Sequence, residues 1–513
     1  MIATRILSLV ALPVLFASVL AAQTPPEDLP QPTRGTQLPL SGRTVQPGSV
    51  ETIQTPTAGG PQTVNTINST VQVTGAYGGS VLSAPAAGAL LNLSLDEALR
   101  RGLEYNLGAV DFTQATRQAQ ALARVSRSNL LPNVTSDLLV AEQQTDLAAL
   151  GFTSIPFPPG LSFPTVIGPY HYFDLRAGVS QSVFDLTRLR NYRAAQEDTR
   201  SVRFAAEDAR DLIALAVTGG YLEVIASTAR IASTRAQVDT ALATYQQAVD
   251  RHNAGLNARI DVTRTEVELR TQQQRLIAVE NQFAKQKIVL ARLIGLPPGQ
   301  EFNLTDTLPF APLEHLTLDQ ALQRAYTYRA DLKGADAQVH AAETARQAAV
   351  AERYPTVEVA GDYGVIGSSP VSSHGTFGVS GSVRFPIFQG GRVQADVEQA
   401  DAALQQRRAE YSDTRGRIDA DVRSAFLDLN SAANEVSVAE GNRTLAAETL
   451  TQARDRFTAG VADTLEVVQA QEAVASAEQD YIAALFSHNL AKASLARAMG
   501  QAGANMKQFL GRP

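Results

Sequence analysis

Residues 421–500 read DVRSAFLDLNSAANEVSVAEGNRTLAAETLTQARDRFTAGVADTLEVVQAQEAVASAEQDYIAALFSHNLAKASLARAMG, and this stretch decides the fold. Apolar side chains recur in it at steps of four and three residues, as at Val422, Phe426 and Leu429. This 3.5-residue period is typical of a coiled-coil seam. The pattern stops at Gly460, a residue type that readily takes the left-handed conformation that ends a helix, and it resumes at Leu465. The stretch therefore predicts a long antiparallel helical hairpin with a tight turn.

The same hairpin occurs earlier in the chain. The turn sequence RFTAG at 456–460 matches RHNAG at 251–255, an offset of 205 residues. Upstream, LDEAL at 95–99 matches LDQAL at 318–322, an offset of 223 residues. Such matches predict two copies of one helix-strand-strand-helix-helix unit. We place these copies at 93–295 and 317–500, with a connector at 296–316 and a C-terminal tail at 501–513.

Two further segments precede the first copy. Residues 1–22 contain Arg5, an apolar run and then Ala21 and Ala22, which predicts a cleaved secretory signal peptide. Residues 23–92 are rich in Pro, Gly, Thr and Ser and show no sustained period. We therefore predict a flexible N-terminal extension, with at most a short strand at 71–73.

Each copy contains two segments in which apolar and polar residues alternate. In the second copy Val357, Val359 and Tyr363 alternate with polar residues, and so do Phe377 and Val379 after a loop. The corresponding segments of the first copy are 134–140 and 173–183, with a loop predicted from about 145 to 169. Pro132 and Pro355 precede the first strand of each copy, and Gly390 and Gly391 follow the last strand.

These strands suit a membrane β-sheet that has lipid on one side and a wet lumen on the other. A soluble, half-buried hairpin gives the same alternation, so the strands alone leave both readings open. Four strands do not close a barrel around an aqueous lumen, and lipid does not tolerate open strand edges. The membrane reading therefore requires several copies of the chain in one barrel.

Helix lengths relate the two copies to each other. Unbroken helical patterns run over 186–253 and 392–458, about 100 Å each at 1.5 Å per residue. Shorter patterns at 94–131, 258–294, 318–354 and 464–499 are roughly half as long. Two short helices placed end to end are as long as one long helix, so we expect each long helix to lie beside a stacked pair of short ones. The short helices are interrupted at the connector and at the chain ends. We expect these segments to form a belt around the middle of the helices.

Composition excludes several functional classes. The 513-residue chain has no Cys and a formal net charge of −7. It therefore has no disulfides or thiolate metal sites, and its charge gives no reason to expect nucleic acid as a partner. The six His residues are scattered, and we find neither a metalloprotease motif nor a phosphate-binding loop. We predict a protein that is not an enzyme and that has no cofactor and no metal.

At this level the chain resembles the TolC-like outer-membrane efflux proteins, also called outer-membrane factors. The resemblance rests on the duplicated LxxAL motifs, the two proline positions, and the sequences FQGGR at 388–392 and FTAG at 457–460. It implies a mainly α fold with membrane β-structure: a homotrimer with a 12-stranded β-barrel, four strands from each copy, continued by a long α-helical barrel with an internal two-fold repeat. It also implies a bacterial outer-membrane location, in contact with lipid and spanning into the periplasm. The function implied is a passive exit duct for efflux or type I secretion that docks a periplasmic adaptor and an inner-membrane pump.

The resemblance also suggests site residues at the hairpin turns. Glu466 matches the first acidic position of the family's pore constriction, where the second position is Gln469, and Asp261 is the candidate in the first copy. A solvated carboxylate in the first turn of a helix is the alternative for both acidic residues, because the helix dipole favours it there. The expected turn and adaptor-docking residues are the following: Gly255, Gly460, Phe457 and Val461. Phe457 and Ala462 replace a tyrosine and an arginine of the family, which removes hydrogen-bonding groups from the closed tip.

The competing interpretation is a periplasmic coiled-coil adaptor or a structural spacer. Such an adaptor usually carries one helical hairpin flanked by β-rich modules. This chain instead alternates two hairpins with two pairs of amphipathic strands, which favours the duct.

Overall fold

The computed structural model describes residues 48–57, 66–82, 90–149, 165–256, 258–307, 310–313 and 316–511. The predicted signal peptide lies outside the described residues. The chain divides into two compact units. One holds the described residues of Ser128–Asp185 and Tyr354–Ile387, and the other holds the described residues of Val45–Arg127, Leu186–Arg353 and Phe388–Pro513.

In the described part of the chain, strands and helices mostly follow one another in groups of two or three. In order, the elements are β1 (Val50–Thr57), β2 (Thr66–Val73), β3 (Leu91–Leu93), α1 (Leu95–Tyr105), α2 (Leu107–Ser128), β4 (Asn133–Asp146), β5 (Val166–Phe184), α3 (Leu186–Asn253), α4 (Arg259–Leu293), β6 (Phe302–Leu304), α5 (Leu318–Tyr328), α6 (Ala330–Ala351), β7 (Thr356–Gly367), β8 (Ser373–Arg384), α7 (Arg392–Thr458), α8 (Thr464–Ala498) and α9 (Ala502–Phe509).

The two long helices and their returning partners agree with the sequence prediction. α3 and α7 contain 68 and 67 residues and begin and end where the helical patterns do. The turn after α3 is closed by the Leu256 amide, which donates to the Arg251 carbonyl at 2.8 Å. After α7, the Val461 amide donates to the Arg456 carbonyl at 3.0 Å. These bonds satisfy terminal carbonyls that a helix otherwise leaves without a partner.

The two half-length helices that precede the strands are broken, where we predicted continuous helices. Asn106 and Arg329 separate α1 from α2 and α5 from α6, with extended ψ angles of 136° and 122°. Asn106 is fully buried, and its amide donates to the Tyr77 carbonyl at 2.8 Å. Arg329 donates to Asp331 at 2.7 Å and to Asp421 at 2.8 Å. Bonds to distant segments therefore outweigh local helix propensity at both positions.

The largest core lies around the middle of α3. Ile213, Val217 and Tyr221 are at most 1% exposed there. The Tyr221 hydroxyl donates to Asp306 at 2.7 Å, and the Leu95 amide donates to the same carboxylate at 2.9 Å. This carboxylate ties the connector to α1 and α3, and β6 of the connector pairs in parallel with β3.

The predicted flexibility of residues 23–92 is wrong for the part that the structure describes. β1 and β2 pair as an antiparallel hairpin, and Val50 and Tyr77 are buried in the core around α3. Val71 packs against Gly219 of α3, where an added Cβ would come within 2.4 Å of a Val71 methyl group. A few well-spaced apolar residues thus dock the hairpin because a glycine leaves room for it.

The predicted C-terminal tail at 501–513 contains a helix. α9 buries Met506 in the core around α3, and Leu510 follows it there. The Gly503 amide of α9 donates to Asp211 of α3 at 2.6 Å.

Candidate functional site

A four-stranded antiparallel sheet, in the order β4-β5-β7-β8, carries the first candidate surface. The register aligns apolar residues across it, with Leu138 opposite Leu175 and Tyr363 opposite Phe377. Because cross-strand partners share a face, one face of the sheet is apolar. Its side chains are exposed, and Phe377 and Val379 are 79% and 78% accessible.

The opposite face is polar. Arg176 of β5 lies across from Asp137, forms an ion pair with Asp362, and donates to the Thr376 hydroxyl at 3.2 Å. Asp174 lies 3.5 Å from the same guanidinium. The predicted alternation is therefore confirmed.

The strands of the first copy are longer than predicted. Asp146 still pairs with Val166, at positions that we assigned to a loop. Polar and proline residues broke the alternation there, although the backbone pairing continues through a register shift between Gln143 and Thr145.

Within the described residues, each outer strand of the sheet has one neighbour. β4 pairs with β5 alone, and β8 pairs with β7 alone. Their other edges present backbone amides and carbonyls that the sheet leaves unpaired.

The junction residues lie where the sequence placed them. Pro132 and Pro355 directly precede β4 and β7. Gly390 and Gly391 precede α7 with φ angles of +60° and +83°, values that favour glycine.

The hairpin turns are the second candidate surface. Gly255 and Gly460 have φ angles of +71° and +77°, and an added Cβ at either would meet nothing within 4 Å. Val461 is 69% exposed beside them. The two glycines thus serve the turn conformation, and they leave an open surface around it.

The structure corrects the expected role of Phe457. This side chain is 4% exposed and packs with Ala453 and Val467 inside the second hairpin, so its ring is not available to a docking partner. Arg251, which sequence reasoning missed, lies with its guanidinium 4.5 Å from the centre of that ring. Arg251 also donates to the Phe457 carbonyl at 2.7 Å. The only feature of the sequence that could have identified Arg251 is its alignment with Arg456 in the duplicated turn.

The predicted constriction residues lie on separate hairpins. Glu466 begins α8, where Asp463 caps its amide at 3.1 Å and Arg456 lies 3.1 Å from its carboxylate. Gln469 is exposed one turn later. Asp261 begins α4, 3.8 Å from Arg264. No described contact joins Asp261 to Glu466 within one copy.

The four helices of the two hairpins form a layer in which α3 contacts α4 and α8, α8 contacts α7, and α4 reaches α8 in fewer places, as through the Arg275–Glu472 ion pair. α4 and α7 are therefore its edges. Each carries exposed apolar side chains at heptad-like spacing: Val267, Ile277 and Ile288 on α4, and Leu427, Val438 and Leu445 on α7. Such stripes are the seams by which helices pack in coiled coils.

No group of three or more His, Asp or Glu side chains that suits a metal ion occurs in the part of the chain that the structure describes. The described sheet has one exposed apolar face and one polar face, which is the pattern of membrane β-strands, and the rest of the described chain consists mainly of long paired helices.

The family model of the outer membrane efflux protein matches residues 112–296 and 318–501, and the chain belongs to this family. The resemblance to TolC-like proteins is therefore confirmed, and the chain is a protein of the bacterial outer membrane. Membership of a transport family also agrees with the prediction of a non-enzymatic role.

Individual relatives agree in sequence and in fold. The pyoverdine export outer membrane protein OpmQ of Pseudomonas aeruginosa is 24% identical over 82% of this chain and 87% of its own length. The outer membrane protein VceC of Vibrio cholerae has a TM-score of 0.66 at 19% identity, covering 79% of this chain and 96% of VceC. The CmeC outer membrane channel of Campylobacter jejuni has a TM-score of 0.68 at 14% identity, covering 81% and 89%.

Proposed function

We propose that three copies of the chain form one passive exit duct through the outer membrane, with a 12-stranded barrel continued by a helical barrel. The observation that carries this proposal is the four-stranded sheet with one exposed apolar face, one polar face and two unpaired edges. In lipid, unpaired backbone groups cost several kcal/mol each, so β8 of one copy must pair with β4 of the next. Closure leaves the apolar face toward lipid and the Arg176 cluster toward water.

The helical layer supports the same assembly. Arg251 and Phe457 hold the two turns together, so residues equally far from Gly255 and Gly460 lie at similar heights. Ile277 and Val438 are each 22 residues from the turn glycine of their own hairpin. Ile288 and Leu427 are each 33 residues from theirs. An α4 edge of one copy therefore meets an α7 edge of the next with its apolar side chains level, which closes a ring.

The two helix-strand-strand-helix-helix units, at 93–295 and 317–500, make each copy an internal two-fold repeat. The connector, the N-terminal hairpin and α9 form a belt around the middle of the helices. Their shared burial in the core around α3 supports this assignment.

The turns are the docking end. Gly255, Gly460 and Val461 present an open, weakly polar surface to a periplasmic adaptor, which connects the duct to an inner-membrane pump. The pump supplies the energy. Three Glu466 carboxylates form the constriction at the turns, with Gln469 and Asp261 beside them.

Engineered cysteines test the assembly cleanly because the chain has no cysteine of its own. We expect an Ile277→Cys/Val438→Cys double variant to form covalent trimers on oxidation, seen by denaturing electrophoresis. The matched control is Ile277→Cys/Leu427→Cys, whose positions differ by 11 residues in height, about 16 Å along a helix. Equal cross-linking in both variants, or none in either, would refute the α4–α7 seam.

The channel itself is tested in planar lipid bilayers. Purified wild-type protein should give discrete conductance steps and should resist carbonate extraction from membranes. Extraction by carbonate, with no conductance, would show a peripheral spacer instead.

A further inference from the structure

A groove between α2 and α3 concentrates positive charge. Its volume is about 560 Å³, within the roughly 300–1,000 Å³ of ligand pockets. Four arginines line it, two from each helix: Arg124, Arg127, Arg200 and Arg203. Gln120, Gln196, Tyr192 and Thr199 supply further polar groups. The chain as a whole has a net charge of −7, so this concentration of guanidinium groups is local.

The arginines are mostly without carboxylate partners. Glu197 is the acidic residue in the lining, and it pairs with Arg200 at 3.0 Å. Arg124, Arg127 and Arg203 form no ion pair among the described residues, and all three are exposed. Like charges placed side by side repel one another unless an anion lies between them.

The groove is distinct from the surface that would contact another copy. At 100° per residue, Arg124 and Arg127 share the side of α2 that faces α3. Leu122 and Val125 lie on the opposite side and are 53% and 56% exposed. A neighbouring copy would cover that apolar side, which leaves the arginine side for a ligand.

We propose that the groove between α2 and α3 binds the phosphate group of an anionic ligand. Guanidinium groups present parallel N–H donors that match phosphate oxygens in pairs, and three unpaired arginines supply a fork geometry that lysine lacks. A lipid headgroup and a free phosphate ion both carry this chemistry. The lining comes from α2 and α3 alone, and only the argument that the arginine side stays uncovered rests on the proposed assembly.

The test uses the full chain in detergent and in lipid nanodiscs. Inorganic phosphate is titrated by calorimetry, and retention of phosphatidylglycerol over phosphatidylcholine is measured by native mass spectrometry. The variant is Arg124→Gln/Arg127→Gln/Arg203→Gln. The control is Arg259→Gln/Arg270→Gln/Arg454→Gln, which removes three exposed arginines from other helices. The variant Arg124→Lys/Arg127→Lys/Arg203→Lys keeps the positive charges but lacks the paired N–H donors of the guanidinium groups.

We expect the glutamine variant to bind at least about tenfold more weakly than the wild type and the control, because it loses several charge-assisted bonds. The lysine variant should bind with intermediate affinity. Selective retention of phosphatidylglycerol identifies a lipid headgroup, and saturable binding of phosphate alone identifies a free anion.

Binding of neither ligand by the wild type, or equal binding by the wild type and the glutamine variant, overturns the proposal. Loss of trimers in the glutamine variant, with no ligand on the wild type, also overturns it and assigns the arginines to a second copy. Bilayer conductance and the α4–α7 cross-link of the same variants report separately on the proposed duct.

Discussion

Arg251 joins the two hairpin turns through one side chain. Its guanidinium stacks on the buried Phe457 ring and donates to the carbonyl of the same residue. A cation over an aromatic face contributes about 0.5–2 kcal/mol, and the hydrogen bond adds to it.

Arg251→Ala should therefore loosen the turns against each other. We expect a higher mean conductance and more frequent opening in planar bilayers than for Arg454→Ala, an exposed arginine one turn before the end of α7. Identical single-channel records for the two variants would show that Arg251 does not stabilise the closed channel.

Glu466 is the residue on which the proposed constriction depends. Its carboxylate lies near Arg456, but water reaches both side chains, so this ion pair contributes little to stability. Glu466→Gln should lower the preference of the channel for cations and leave the thermal midpoint within about one degree of wild type. The measurement is the reversal potential under a salt gradient, with Glu440→Gln as the control on the exposed side of α7. An unchanged reversal potential would place Glu466 outside the constriction.

We expect His488 to make the folded chain sensitive to acid. Burial and the neighbouring Lys492 charge lower its pKa from 6.5 to about 4. Well above pH 6.5 the imidazole is neutral in both states. As the pH falls from 6.5 toward 4, the unfolded chain takes up a proton that the folded chain excludes, so the free energy of unfolding decreases. The full loss is on the order of 3 kcal/mol per copy.

His488→Leu removes this titration. We expect the thermal midpoint of the variant to fall less than that of wild type between pH 7.5 and pH 4.5. His340→Gln, at an exposed position, should behave as wild type does. Parallel pH profiles for wild type and His488→Leu would show that the imidazole does not control acid stability.

At the scale of the elements, the hairpin turns show what glycine contributes. Space is open around Gly460, so a substitution there acts through the backbone alone. Gly460→Ala should destabilise the hairpin by about 1–2 kcal/mol, since a Cβ disfavours left-handed φ. Gly460→Asn should cost less, because asparagine tolerates that region better. Guanidinium unfolding midpoints measure both, and equal midpoints for the two variants would contradict the backbone explanation.

A bulkier residue at the same turn tests docking. Gly460→Trp should leave the trimer and its conductance intact but weaken adaptor binding, because the side chain projects into the open surface. Unaltered adaptor binding in a pull-down assay would count against the turn as the docking site.

The long helices were readable from the sequence because their signals are local. The 3.5-residue period of α7 ends at Thr458, and Gly460 supplies the turn. The two-residue alternation likewise placed both faces of the sheet. These patterns follow from backbone periodicity and need no knowledge of distant residues.

The elements that sequence reasoning missed depend on contacts between distant residues. Asn106 interrupts a helix because its side-chain amide donates to the Tyr77 and Leu293 carbonyls. The sequence around Asn106 does not predict either partner. The β1–β2 hairpin depends on the space beside Gly219. At the candidate site, Phe457 is buried because Arg251 and α8 cover it, which its position at a turn did not suggest.

At the scale of the whole molecule, one copy is incomplete in three places. The sheet has two unpaired edges, the helical layer has two apolar stripes, and the turns carry one candidate carboxylate each. The three-fold assembly that we propose would complete all three places. It would pair β8 with β4, cover α4 with α7, and bring three Glu466 side chains around an axis.

The mass of the detergent-solubilised protein tests this most directly. Native mass spectrometry of the intact assembly should give three chains in one particle that keeps its conductance when reconstituted. A particle of one chain, stable in water without detergent, would contradict the shared barrel and with it the duct.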